Sequence, residues 1–152
     1  MPQHSEQDLH TMSNILQKIE LFQGLNEQEI TEVVKIITMD YFPENHLLFR
    51  EGEFGDKMYI IKSGIVRLFH QGDSPSFDKE VAMLGDNDFF GEMALISDTP
   101  RNATAKVVEA IQVFVLTKAD LMKLISENPT IAAKISSEFL DRLKQNLRDQ
   151  NS

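Results

Sequence analysis

The strongest constraint on the fold is a double change of hydrophobic period along the chain. From residue 39 to 116 the apolar residues come in short runs: MDYF (39–42), HLLF (46–49), MYIIK (58–62), IVRLFH (65–70), KEVAML (79–84), ATAKVV (103–108) and IQVFVL (111–116). Pro43, Gly52, Gly55, Gly64, Gly72, Pro75, Gly85 and Pro100 separate them. Short β-rich runs cut by Gly and Pro point to an antiparallel sandwich, jelly roll or barrel. Ser63-Gly64, between two such runs, predicts a tight hairpin.

On both sides of this body the period is helical. Leu9, Met12, Ile15, Leu16 and Ile19 recur at spacings of three and four, which predicts a helix over 5–21 that Gly24 breaks. Asn26 with Glu29 has the form of a capping box, opening a second helix with Ile30, Val33, Val34 and Ile37 on one face. After Thr117, Leu121, Leu124 and Ile125 mark a helix over 118–127. Asn128-Pro129 then opens a last helix over 129–149, whose stripe is Ile131, Ile135, Phe139, Leu143 and Leu147. The expected plan is one domain over 1–152: helices at 5–37, a strand-rich body at 39–116, and helices at 118–149.

Composition narrows the function. The chain has no cysteine, which excludes disulfides, thiolate metal sites and a cysteine nucleophile. No apolar run approaches the ~18 residues of a membrane span, and the N-terminus lacks a signal-peptide pattern, so a cytoplasmic location away from membranes is expected. The formal net charge of −9 argues against binding a nucleic-acid polymer, which needs a Lys/Arg surface. An anionic ligand would need a local cation set into an acidic protein.

Residues 89–105, FFGEMALISDTPRNATA, supply that cation. Gly91 has no Cβ, so its backbone can approach a ligand closely. Residues 92–96 can form a short helix whose first N–H groups face an anion. Glu92 is an acceptor suited to a ribose hydroxyl. Thr99-Pro100 stiffens the chain before Arg101, whose fork can grip phosphate oxygens in a bidentate way. Ala94, Ala103 and Ala105 are small and leave room.

This segment resembles the phosphate-binding cassette (90–103) of cyclic nucleotide-binding domains, found in cAMP-dependent kinase regulatory subunits, nucleotide-gated channels and catabolite-activator-type regulators. LFQGL (21–25), the run FPENHLLFREGEFGDKMYIIKSGIVRL (42–68) and the closing helices follow in family order. The resemblance implies a mainly β jelly roll or barrel of about eight strands between N-terminal and C-terminal α-helices. It implies that Glu92 accepts from the ribose 2′-hydroxyl and that Arg101 holds the cyclic phosphate. Gly91, Met93, Ala94 and Ala103 would give backbone or packing contacts, and Asn102 would fall near the purine. Phe139 and Leu143 would be a lid over the base. Threonine or serine at Asn102 is commonly linked to cGMP and alanine to cAMP, so asparagine leaves the nucleotide open, with cAMP the leading expectation. Asn45 and Asn87 stand where the family usually has glycine, and both are expected in the left-handed region. Gly52, Gly55 and Gly64 are read as turn formers that do not touch ligand.

Other chemistries find little support. The four histidines, His4, His10, His46 and His70, form no HxH or HExxH pair. Asp78, Glu80, Asp86 and Asp88 read as turn acids rather than a cation site. The expectation is a non-enzymatic sensor with no metal and no cofactor, whose ligand is cAMP or cGMP and whose closing helices respond to it. Its output would lie in an effector protein, a fused domain or a homodimer formed through the terminal helices. The alternative is a degenerate member of the fold that serves as a protein interaction domain without binding nucleotide.

Overall fold

Two 14-residue strands, β3 (Lys57–His70) and β6 (Thr104–Thr117), form the spine of the protein. In the computed structural model, which describes residues 4–137, they pair antiparallel from Lys57↔Thr117 to Phe69↔Thr104. Each spans two of the runs read in the sequence. The predicted hairpin at Ser63-Gly64 is therefore not formed. Instead the register shifts around Ser63, so Gly64 marks an irregularity within a continuous strand. Gly64 has φ +107°, and a Cβ there would lie 2.4 Å from the carbonyl oxygen of Ala110 on β6. Close strand approach, not chain reversal, demands the glycine.

The irregular middle lets the two ends of the spine recruit different neighbours. At one end β1 (Thr38–Phe42) pairs with Ile111–Val115 of β6, and β5 (Phe89–Phe90) pairs with Tyr59 and Ile60 of β3. At the other, β2 (Leu47–Phe49) pairs with Ala105 and Lys106, and β4 (Lys79–Leu84) pairs with Val66–His70. Among the described residues there are thus six strands in place of about eight, because each spine strand does the work of two. Tyr59 and Ile61 from one end share an apolar cluster with Val66, Ala105 and Val107 from the other. That shared core is the mainly antiparallel, jelly-roll type of arrangement expected.

Asn45 (φ 73°) and Asn87 (φ 70°) are the two non-glycine residues in the left-handed region among the described residues. Both reverse the chain tightly. Asn45 donates its N–H to Val107 O at 2.8 Å, and Asn87 donates to Ile61 O at 2.7 Å. Asparagine tolerates this region better than other side chains, which is why it can replace glycine there. The acids of the connecting turns serve those turns. Asp78, Asp86 and Asp88 accept from the N–H groups of Gly72, Gly64 and Gly85, and Glu80 pairs with Arg67 at 3.3 Å.

The strands form one compact unit, Ile37–Lys118, and the flanking helical segments form a second. In the second, α1 (Glu6–Leu16) begins on Ser5, whose hydroxyl accepts from Asp8 N–H at 3.0 Å. It ends earlier than the periodicity predicts, and a 3-10 turn covers Glu20–Phe22. Had the helix continued, Leu21 would project opposite Met12, nine residues earlier. With the helix broken, Met12, Leu16, Ile19, Leu21 and Phe22 are all buried. Leu9, expected on the apolar face, is 37% exposed.

The helix α2 (Glu27–Lys35) opens on the predicted capping box. Asn26 N–H donates to Glu29 Oε1 and Glu29 N–H donates to Asn26 Oδ1, each at 2.9 Å. Glu29 also accepts from Lys134 Nζ at 2.6 Å, tying α2 to the helix over 129–137. Between α3 (Lys118–Glu127) and that helix, Asn128 donates from its side chain to Leu124 O and accepts the N–H of Ala132 on its own carbonyl. One residue thus ends one helix and starts the next. No helix among the described residues is long and apolar enough to cross a membrane.

The backbone hydrogen bond with Asn26, and then the bond from Lys134, hold the Glu29 carboxyl below its ordinary value of 4.5. A lowered folded-state value means the contribution is complete above about pH 4.5 and is lost as the pH falls below it. Glu29→Gln is therefore expected to lower the melting temperature at pH 7, with the gap to wild type closing in acid melts. Gly64→Ala is expected to cost about 2 kcal/mol or more in denaturant unfolding, from backbone strain added to the clash with Ala110.

Candidate functional site

The segment singled out in the sequence folds as strand, turn, loop and strand. After β5, Gly91 takes φ +82° and starts a 3-10 turn over Glu92–Leu95. Ala94 N–H closes this turn on Gly91 O at 3.1 Å, and Ile96 and Ser97 N–H both donate to Met93 O. The chain then returns through Pro100, which bridges Phe54. The loop around residues 50–55 takes both main-chain groups of Arg101. Arg101 N–H donates to Glu53 O at 2.7 Å, and Gly52 N–H donates to Arg101 O at 2.8 Å.

That loop is itself held from two sides. Glu53 Oε1 accepts Arg50 N–H at 2.6 Å. The hydroxyl of Thr104, 0% exposed, accepts Glu51 N–H at 3.0 Å and donates to Gln71 Oε1 at 3.3 Å. A buried hydroxyl with both roles filled is a rigid anchor rather than a strained one.

The Arg101 side chain is half-buried and lies in a slot. Its guanidinium carbon sits 4.1 Å from the centroid of the Phe49 ring. Nη2 donates to Lys57 O at 3.0 Å. Gly55 and Gly91 form the walls: a Cβ at Gly55 would fall 2.2 Å from Nε, and one at Gly91 would fall 2.7 Å from Nη1. Nε is shielded and makes no hydrogen bond among the described residues. Beneath the slot, Tyr59 stacks on Phe90 with centroids 5.0 Å apart, and Phe49 tilts against both at 6.2 and 6.0 Å.

The electrostatics match this placement. Burial pulls the Arg101 guanidinium below its usual value, while Tyr59, Asp56 and Glu53 pull it back up. It remains a cation at any physiological pH. Burial raises the Tyr59 phenol, and Arg101 opposes that rise. Among the described residues Arg101 forms no ion pair. A partly desolvated cation with one carbonyl contact and one ring beneath it is suited to receiving an anion.

The sequence-predicted residues separate into groups. Gly91, Glu92 and Met93 stand at the start of the 3-10 turn, with Gly91 against Arg101. Ala94 and Ala103 are 5% and 4% exposed and pack inward. Asn102 is exposed on the loop just after Arg101. Phe139 and Leu143 lie outside the described residues.

Sequence reasoning missed Phe49, the Lys57 carbonyl and the role of Gly55. The sequence reading makes Gly55 a turn former that does not touch ligand; in the structure it borders the guanidinium of Arg101 and lacks the positive φ that favours glycine in many turns. The space it leaves is defined by a residue 46 positions away, so no local signal reveals it. Phe49 closes the apolar run Leu47-Leu48-Phe49 like any core strand residue, and its contact with Arg101 is likewise long-range.

Comparison with known proteins identifies the family. The chain is 30% identical to a cGMP-dependent protein kinase of Caenorhabditis elegans, over all of its own length and 19% of that protein. It is 31% identical to the cyclic AMP receptor protein of Thermus thermophilus, over 82% of its own length and 57% of that protein. It thus spans only part of these curated relatives. Among solved structures it resembles the regulatory domain of Toxoplasma gondii PKA, co-crystallised with cAMP. That match has a TM-score of 0.70 and 27% identity, covering 82% of this chain and 47% of that one. It also resembles the Thermus thermophilus catabolite activator protein, with a TM-score of 0.63 and 28% identity, covering 88% of this chain and 62% of that one. A family model described as the cyclic nucleotide-binding domain matches residues 39–128, more than half of the sequence, and the chain belongs to that family.

Proposed function

We propose that residues 1–152 act as one regulatory module that binds a cyclic nucleotide, cAMP before cGMP, and carries out no chemistry of its own. The observation that carries this reading is the Arg101 slot: a guanidinium laid on Phe49, with Nε shielded and no ion pair among the described residues. A cyclic phosphate at the Nη1 side of Arg101 would also face the first N–H groups of the turn that Gly91 opens, since Nη1 lies beside Gly91. Glu92, the first residue of that turn, would accept from the ribose 2′-hydroxyl. Met93, Ala94 and Ala103 would shape the floor through backbone and packing, and Asn102 would lie toward the purine. Phe139 and Leu143 are proposed as the cover over the base.

A few charge-assisted hydrogen bonds at roughly 1.5–3 kcal/mol each are enough for micromolar binding of about 8 kcal/mol. Asn102 can either donate to or accept from a purine edge. Nucleotide binding is proposed to bias the placement of the C-terminal helices, limited by the ligand's differential affinity for the two states. The effector would be a partner protein, a fused domain or a second copy joined through the terminal helices. The module is proposed to work in the cytoplasm.

Titration calorimetry with cAMP and cGMP tests the reading. Wild type is expected to bind, with cAMP the tighter, and Arg101→Ala to lose at least about tenfold in affinity. Absence of binding to either nucleotide would instead favour the interaction-domain alternative. Gly55→Ala gives an independent check. Its new Cβ displaces the far end of the Arg101 side chain rather than backbone, so the melting temperature should change little while affinity falls about as far as in Arg101→Ala.

A further inference from the structure

Arg101 is oriented by its surroundings more than by its own hydrogen bonds. Of its five N–H groups, one on Nη2 is fixed, by a main-chain carbonyl at 3.0 Å. One hydrogen bond does not stop a guanidinium from swinging about its long stem. The remaining restraint is the face of Phe49, 4.1 Å below the guanidinium carbon, with Gly55 and Gly91 limiting sideways movement.

We propose that Phe49 is a positioning residue for the anion site: its ring fixes the orientation of the Arg101 guanidinium and keeps water from beneath it. This rests on the reading that Arg101 is the phosphate ligand. The ring suits the task for three reasons. Its negative face attracts the cation, an interaction that strengthens when the pair is partly desolvated. It is rigid, because Tyr59 and Phe90 hold it from the side at centroid distances of 6.2 and 6.0 Å. It belongs to β2, which pairs with Ala105 of β6 at Phe49 itself, so the platform is anchored beside the strand that Arg101 leads into. A leucine in its place fills similar space in the partly buried layer but has no ring face, and leaves Arg101 free to sample other rotamers.

The test uses the full chain and two readouts. In nitrogen–proton NMR of the arginine side chains without nucleotide, the Arg101 Nε–H signal is assigned by its loss in Arg101→Lys. It is expected upfield, through the ring current of Phe49. Phe49→Leu should return it to the ordinary position, and Phe49→Tyr should leave it upfield. In calorimetry with cAMP, Phe49→Leu should bind about fivefold or more weakly, while Phe49→Tyr stays within about twofold of wild type. In an Arg101→Lys background, Phe49→Leu should add at most about half of that loss, a coupling that general destabilisation would not produce. An ordinary Arg101 signal in wild type overturns the proposal, as does equal cAMP affinity in wild type and Phe49→Leu. A shifted signal with no binding of cAMP or cGMP in any variant would refute the ligand reading and with it the anion-site role, leaving only the hold of the ring on the guanidinium.

Discussion

Everything in the strand unit depends on the pairing of β3 with β6. These strands are long enough to serve as the centre of both ends of the unit, and each end adds its own pair of outer strands. The irregular register near Ser63 divides the spine without cutting it. A regular ladder through that region would carry the inward-facing residues of both ends along one flat surface. With the shift, Tyr59 and Ile61 join Val66 and Val107 in a single core.

The same pairing brings the site together. Arg101 lies just before β6 begins, Lys57 opens β3, and Phe49 ends β2 against β6. Register places Lys57 at the Thr117 end of the spine and Phe49 at the Ala105 end, and the packing of those two ends against each other across the shared core is what brings guanidinium, carbonyl and ring together. The loop around residues 50–55 completes the arrangement through main-chain hydrogen bonds, which vary little with side-chain identity. The result is a cation whose position is over-determined while its charge is left without a carboxylate partner among the described residues. On the proposed reading such a group would keep its affinity for an anion because the fold, rather than an internal acid, holds it in place.

How much of this was legible in the sequence depends on the range of the interaction. The capping box at Asn26 and Glu29 and the left-handed asparagines at 45 and 87 are local, and the residues themselves reveal them. The family was also readable, since Gly91, Glu92 and Arg101 lie within a short segment that resembles it. What escaped was non-local. Gly64 looked like a hairpin because a sequence does not show the carbonyl of Ala110 against its α-carbon. Leu9 lies three residues from Met12, yet it faces outward while Asp8 is buried, a choice the packing makes and the period does not.

Gly55 has a consequence for comparing relatives. Its lack of a side chain matters here because an arginine 46 positions later occupies the space, so the two sites constrain one another. A homologue that keeps the arginine but carries a larger residue at the glycine position would retain the motif by eye and lose the bed in which the motif works. Reading the two positions jointly would separate silent copies of this domain from responsive ones where the arginine alone would group them together.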